Sequence, residues 1–168
     1  MSIFKAYDIR GIYDKELNEE IAYNIGRASA IFLREKYDCR KIFIGCDARE
    51  STPELKKSLI NGILDEDVDV ADGGWMTTPM LYYVVIKKGF KGGIMITASH
   101  NPKEYNGFKI VGEEAFPIGG DYLKEIEKIY PDKKVLYYYI GKIYKLKGDC
   151  KDASEYFDKV FNYIHISY

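Results

Sequence analysis

The sequence predicts a three-layer α/β/α domain with a small, mostly parallel (mixed) sheet. Two observations carry this. Short apolar runs such as 41–46 (KIFIGC) and 92–98 (GGIMITA) alternate with longer amphipathic stretches, the rhythm of helices packed on a sheet. The amphipathic stretches also carry helix punctuation: Thr52-Pro53 and Thr78-Pro79 at starts, Gly89 and Pro131 at ends.

Taken in order, residues 3–12 alternate loosely and end near Gly11, reading as a short strand. Residues 18–36 follow as a helix. Ile21, Ile25, Ala28 and Phe32 fall on one face, with Glu19 and Glu20 at the start and Arg34 and Lys36 at the end, the order the helix dipole favours. Residues 41–46 form a buried strand. Thr52-Pro53-Glu54 opens a second helix with Leu55, Leu59 and Ile63 aligned. Residues 68–71 form a strand that ends in Asp72-Gly73-Gly74. A third helix runs from Thr78-Pro79 to near Gly89, then a strand over 92–98, another over 107–111, and a fourth helix over 119–130. Short apolar strands joined by helices imply right-handed crossovers. In such sheets, sites gather at the loops where strands end.

A chain of 168 residues suits one domain with a real core. Apolar residues make up 46% and charged residues 30%, a globular rather than disordered balance. The net charge of −1 and the absence of a basic stripe exclude nucleic acid as an expected partner. No apolar run reaches membrane length, and residues 1–5 are too short and polar for a signal peptide. Cys39, Cys46 and Cys150 have neither CxxC nor zinc spacing, so reduced thiols in a cytoplasmic protein are expected.

The most unusual loop is 97–107. A buried strand ends and Thr97, Ser99, His100 and Asn101 follow at once. Asn101-Pro102 and Asn106-Gly107 are turn signals. The chain returns as Gly107-Phe108-Lys109-Ile110-Val111, where alternation sets Lys109 opposite Phe108 and Ile110. Such a return brings Lys109 back beside Ser99. Alone, this cluster admits two readings. One is a polar turn in which Ser99 and Asn101 satisfy backbone groups and Lys109 is solvated; the other is a site.

Thr97-Ala98-Ser99-His100-Asn101-Pro102 with Tyr105-Asn106-Gly107-Phe108-Lys109 resembles the phosphoserine loop of the α-D-phosphohexomutase family, the phosphoglucomutases and phosphomannomutases. Phe4-Lys5-Ala6-Tyr7-Asp8-Ile9-Arg10-Gly11 resembles the family's opening segment. Gly45-Cys46-Asp47-Ala48-Arg49-Glu50-Ser51 resembles its G-x-D-x-R-x-S segment, and Thr77-Thr78-Pro79 its T-P turn. The four matches occur in family order over residues 1–130. The resemblance implies that Ser99 carries a phosphoryl group which passes to a hexose monophosphate through a 1,6-bisphosphate intermediate. It implies Lys109 as general base, Arg10 as the cation beside the phosphoserine, and His100 as a group that shares proton transfer or holds phosphate. A lysine near another cation in a partly desolvated site has a lowered pKa, which suits a base. Tyr7 and Asn101 are expected to line the substrate side. The family uses Mg²⁺, and Ser99, through its phosphate, is the one metal ligand expected from this chain. Asp47 and Arg49 are expected to form an ion pair that braces the loop, and Trp75 to be a packed loop aromatic. Cys46 stands where family members often have arginine.

The family's aspartate-rich D-G-D-x-D-R metal loop, glutamate-bearing sugar loop and arginine-rich phosphate clamp are absent from the sequence. The expectation is a phosphoserine-bearing first domain, inactive alone, whose partners are a hexose phosphate and a second polypeptide with the other domains. The alternatives are a truncated or repurposed module that binds sugar phosphates or proteins without catalysis. The domain is expected to span 1–168. Residues 135–168 form either its closing strand–helix element or a pair of helices resembling a tetratricopeptide unit around Gly148.

Overall fold

The computed structural model describes residues 2–130. Within them lie β1 (Ile9–Ile12), α1 (Glu19–Tyr37), β2 (Lys41–Cys46), α2 (Thr52–Leu64), β3 (Asp69–Trp75), α3 (Thr78–Lys88), β4 (Gly93–Ile96), β5 (Tyr105–Val111), a 3₁₀ turn (Glu113–Ala115) and α4 (Asp121–Ile129). The element expected over 135–168 lies outside the described residues.

Local chemistry sets the helix boundaries. The Asn18 side chain accepts a hydrogen bond from the Ile21 N–H at 2.9 Å and caps α1. Gly89, with φ of 68°, closes α3 in the left-handed conformation that costs glycine little. Within the sheet, side chains alternate between two apolar layers. Ile42, Ile44, Ile94, Ile96, Phe108 and Ile110 face α1, α2 and α4, together with Leu55, Leu59, Ile63, Leu123 and Ile126. Phe43, Met95 and Val111 face the opposite way, onto Leu81 and Val85 of α3. The three-layer expectation holds.

The strand order is β1-β5-β4-β2-β3. Strands β2–β3 and β2–β4 pair in parallel, while β5 runs antiparallel to both β1 and β4. The sheet is therefore mixed, with β5 as the reversed strand. Several strand boundaries differ from expectation: β1 is confined to Ile9–Ile12 rather than 3–12, and β4 to Gly93–Ile96 rather than 92–98. Strand β3 runs on through Gly73-Gly74 to Trp75, because a bulge opposite Ile44 and Cys46 keeps it paired. Asn106-Gly107 is not a turn but the start of β5. Asn106 is fully buried, donates to Ser51 Oγ at 2.9 Å and Thr52 Oγ1 at 3.1 Å, and accepts from the Gly107 N–H. Gly107 lets β1 approach: a Cβ there would lie 2.1 Å from the Ile9 carbonyl oxygen.

Helices α1 and α2 pack closely at Gly62, where a Cβ would lie 2.0 Å from the Tyr23 carbonyl oxygen. Alanine favours a helix over glycine by about 1 kcal/mol, but the clash is with backbone and is relieved only by parting the helices. Gly62→Ala is therefore expected to destabilise the domain by about 2 kcal/mol, read as a lower urea midpoint. An unchanged or higher midpoint contradicts this packing.

Candidate active site

β2 and β4 lie side by side and end together, and the loops that follow them build one network. Asp47, after β2, accepts at Oδ1 from the Arg49 N–H (3.2 Å) and Thr52 Oγ1 (3.1 Å). At Oδ2 it accepts from Arg49 Nε (3.1 Å) and Thr97 Oγ1 (2.7 Å). The hydroxyl oxygen of Thr97 in turn accepts from the Ser99 N–H at 2.9 Å. Arg49 reaches across to the loop after β4. Its Nη1 donates to the carbonyls of Pro102 (2.7 Å) and Tyr105 (2.9 Å), and its Nη2 to those of Ser99 (3.0 Å) and Asn101 (2.8 Å). With Nε on Asp47, every N–H of the guanidinium is engaged. The expected Asp47–Arg49 brace is present and extends to four loop carbonyls. It holds Ser99 at φ 57°, a left-handed backbone that costs a non-glycine residue about 1 kcal/mol.

A second cluster forms where β1 meets β5. By alternation Lys109 projects from the α3 side of the sheet, as do Asp8 and Arg10, which flank the core residue Ile9. Asp8 is buried, and its carboxylate takes three hydrogen bonds. Arg10 grips it with Nε on Oδ1 at 3.1 Å and Nη2 on Oδ2, and Lys109 Nζ donates to Oδ2 at 2.9 Å. Burial opposes the charge on Asp8, but the hydrogen bonds from Arg10 and Lys109 outweigh it and hold the carboxyl below the usual range. Arg10 Nη1 donates to Asn101 Oδ1 at 2.7 Å, which ties this cluster to the Ser99 loop.

The sequence-derived residues therefore fall into three groups. Arg10, Lys109 and Asn101 are joined through Asp8 and through the Arg10–Asn101 bond. Tyr7, 80% exposed, stands with Lys5, Asp8, Arg10, Asn101 and Tyr105 around an open cleft of about 450 Å³. Ser99 and His100 lie exposed on the braced loop. Sequence reading gave Asp8 no role, although its i, i+2 spacing from Arg10 puts both on one strand face. Trp75 differs from expectation: it is 80% exposed at the end of β3, because an edge strand leaves its outer side uncovered. Cys46 is buried with its thiol donating toward the Gly74 carbonyl at 3.4 Å, and burial pushes its pKa up.

Among the described residues, no group of three or more His, Cys, Asp or Glu is placed to hold a metal. Ser99 alone does not make a Mg²⁺ site, which needs several oxygen ligands. Among the same residues, no helix is long and apolar enough to cross a membrane.

The sequence pattern of the phosphoglucomutase/phosphomannomutase α/β/α domain I matches residues 1–135. The chain belongs to that family. A phosphomannomutase of Klebsiella pneumoniae is 45% identical over 130 residues, covering 77% of this chain and 80% of the relative. A phosphomannomutase of Vibrio cholerae is 40% identical over 169 residues, covering 98% of this chain and 35% of the relative. The X-ray structure of a phosphoglucomutase/phosphomannomutase family protein from Burkholderia thailandensis superposes with a TM-score of 0.70 at 36% identity, over 79% of this chain and 30% of that one. The chain thus spans about a third of the Vibrio relative's length. What it shares with the family over 1–135 is domain I, with the Ser99 loop, Arg10 and Lys109 inside the matched region.

Proposed function

We propose that this chain is the phosphoserine-bearing first domain of a phosphomannomutase or phosphoglucomutase and that Ser99 is its phosphoryl carrier. A hydroxyl oxygen of a hexose monophosphate attacks the phosphorus on Ser99. The O–P bond forms as the Oγ–P bond breaks, with its electron pair left on Oγ. Lys109 takes the hydroxyl proton and returns it to Oγ, while Arg10 balances charge on the transferring group. His100 stands on the same loop, within one residue of the carrier, to share the proton or hold phosphate oxygens. Tyr7 and Asn101 line the sugar side. The observation that carries this reading is the pairing of Arg10 and Lys109 on one buried carboxylate, linked through Asn101 to a loop whose backbone Arg49 holds rigid. Phosphoryl transfer is catalysed by such positioning and charge neutralisation.

Mg²⁺, when bound, would add charge neutralisation through the Ser99 phosphate, with its other ligands supplied from outside these residues. The free, buried thiols of Cys39 and Cys46 fit a cytoplasmic location. The test is reconstitution. The purified chain alone is expected to convert no mannose 1-phosphate. Mixed with a separately produced polypeptide holding the remaining domains of the Vibrio cholerae relative, it is expected to convert it. Turnover by the chain alone, or none in the mixture despite complex formation, contradicts the proposal.

A further inference from the structure

Arg10 and Lys109 share one partner, Asp8. Asp8 is 4% exposed, and among the described residues it is the one carboxylate bonded to both Arg10 and Lys109, whose side chains are 25% and 24% exposed. Its two oxygens are engaged on different sides. Oδ1 takes Arg10 Nε, while Oδ2 takes Arg10 Nη2 and Lys109 Nζ. The fork of Arg10 fixes the plane of the carboxylate, and the fixed carboxylate fixes Nζ. Arg10 is itself held from the far side by Asn101 of the Ser99 loop. The order Asn101–Arg10–Asp8–Lys109 thus connects the carrier loop to the amine through charged, directional bonds.

Lys109 Nζ lies 2.9 Å from one oxygen of an ionised carboxylate whose other oxygen Arg10 holds. An amine that takes up a hydroxyl proton becomes an ammonium, and Asp8 is placed to stabilise that cation. A base oriented by a third group is the general form of such relays. We infer that Asp8 is the positioning residue of this site, a carboxylate that orients Lys109 and balances the charge the amine gains. The inference rests on the reading of Lys109 as the base.

The test is the reactivity of the Lys109 amine, followed by peptide mass spectrometry after brief treatment of the whole chain with a water-soluble N-hydroxysuccinimide ester at fixed pH. Only the neutral amine reacts. Asp8→Asn is expected to raise acylation of Lys109 by about tenfold, since the amide cannot balance an ammonium charge. Acylation of the exposed Lys91 and Lys103 should stay unchanged, as should amide exchange across β1 and β5. Asp8→Glu should return Lys109 toward the parent rate. An unchanged Lys109 rate in Asp8→Asn overturns the inference. So does a rise shared by Lys103 with faster exchange in β1, since Asp8 then only holds the strand. Should the asparagine variant fail to fold, Asp8→Ser carries the same expectation, and failure of both variants to fold also overturns it. The two readings fail separately. A selective rise at Lys109 in a chain whose Ser99 accepts no phosphoryl group sinks the phosphoryl proposal and leaves the Asp8–Lys109 assignment standing.

Discussion

In the reconstituted mixture, Ser99→Ala is expected to lose conversion of mannose 1-phosphate by several orders of magnitude while still associating with the remaining domains. The proposed reaction has two half-steps, and both pass through Oγ: the group leaves Ser99, then a phosphate of the bisphosphate returns to it. Without Oγ there is no acceptor, so the loss is in turnover rather than in substrate affinity. Ser99 is exposed, and its structural bonds use its backbone N–H and carbonyl, both of which alanine keeps. Stability should therefore be nearly unchanged. Retained turnover in Ser99→Ala would place the carrier elsewhere, and a lost complex would mean that Ser99 serves association.

Arg49→Met is expected to have the largest effect on stability of any change near the site, about 3 kcal/mol. The side chain is 14% exposed and its partner Asp47 24% exposed, so the figure sits at the low end for breaking a buried pair. Removal also leaves four loop carbonyls without their donor and frees Ser99 to leave its left-handed backbone. The expected readouts are a lower urea midpoint and faster amide exchange across 98–106. Arg49→Lys should recover little of this, because an ammonium is a compact charge that cannot span the carboxylate and four carbonyls as the guanidinium fork does. Full recovery by lysine would show that charge alone holds the loop.

Much of this architecture is legible in the residues. The helices announce themselves because apolar residues recur at helical spacing, as at Leu55, Leu59 and Ile63, and because Pro53, Pro79 and Gly89 mark their limits. The alternation of Phe108, Lys109 and Ile110 placed Lys109 on its own face of β5, where the structure also has it. What stayed hidden depends on partners distant in sequence. Asn106-Gly107 carries a hairpin signal, yet the bonds that Asn106 donates to Ser51 and Thr52 and the approach of Ile9 draw it into a strand. The pairing of β5 with β1, distant in sequence, has no local pattern to encode it. Asp8 was overlooked because its role appears only when Lys109, 101 residues away, folds against it.

The central claim is that Ser99 carries the phosphoryl group. Its most direct test is peptide mapping of the chain after incubation, with the remaining domains present, with a hexose 1,6-bisphosphate labelled in its phosphates. The account predicts one labelled site, Ser99, and loss of that label on chasing with unlabelled hexose monophosphate. A chain that stays unlabelled, or carries its label at another residue, would contradict it.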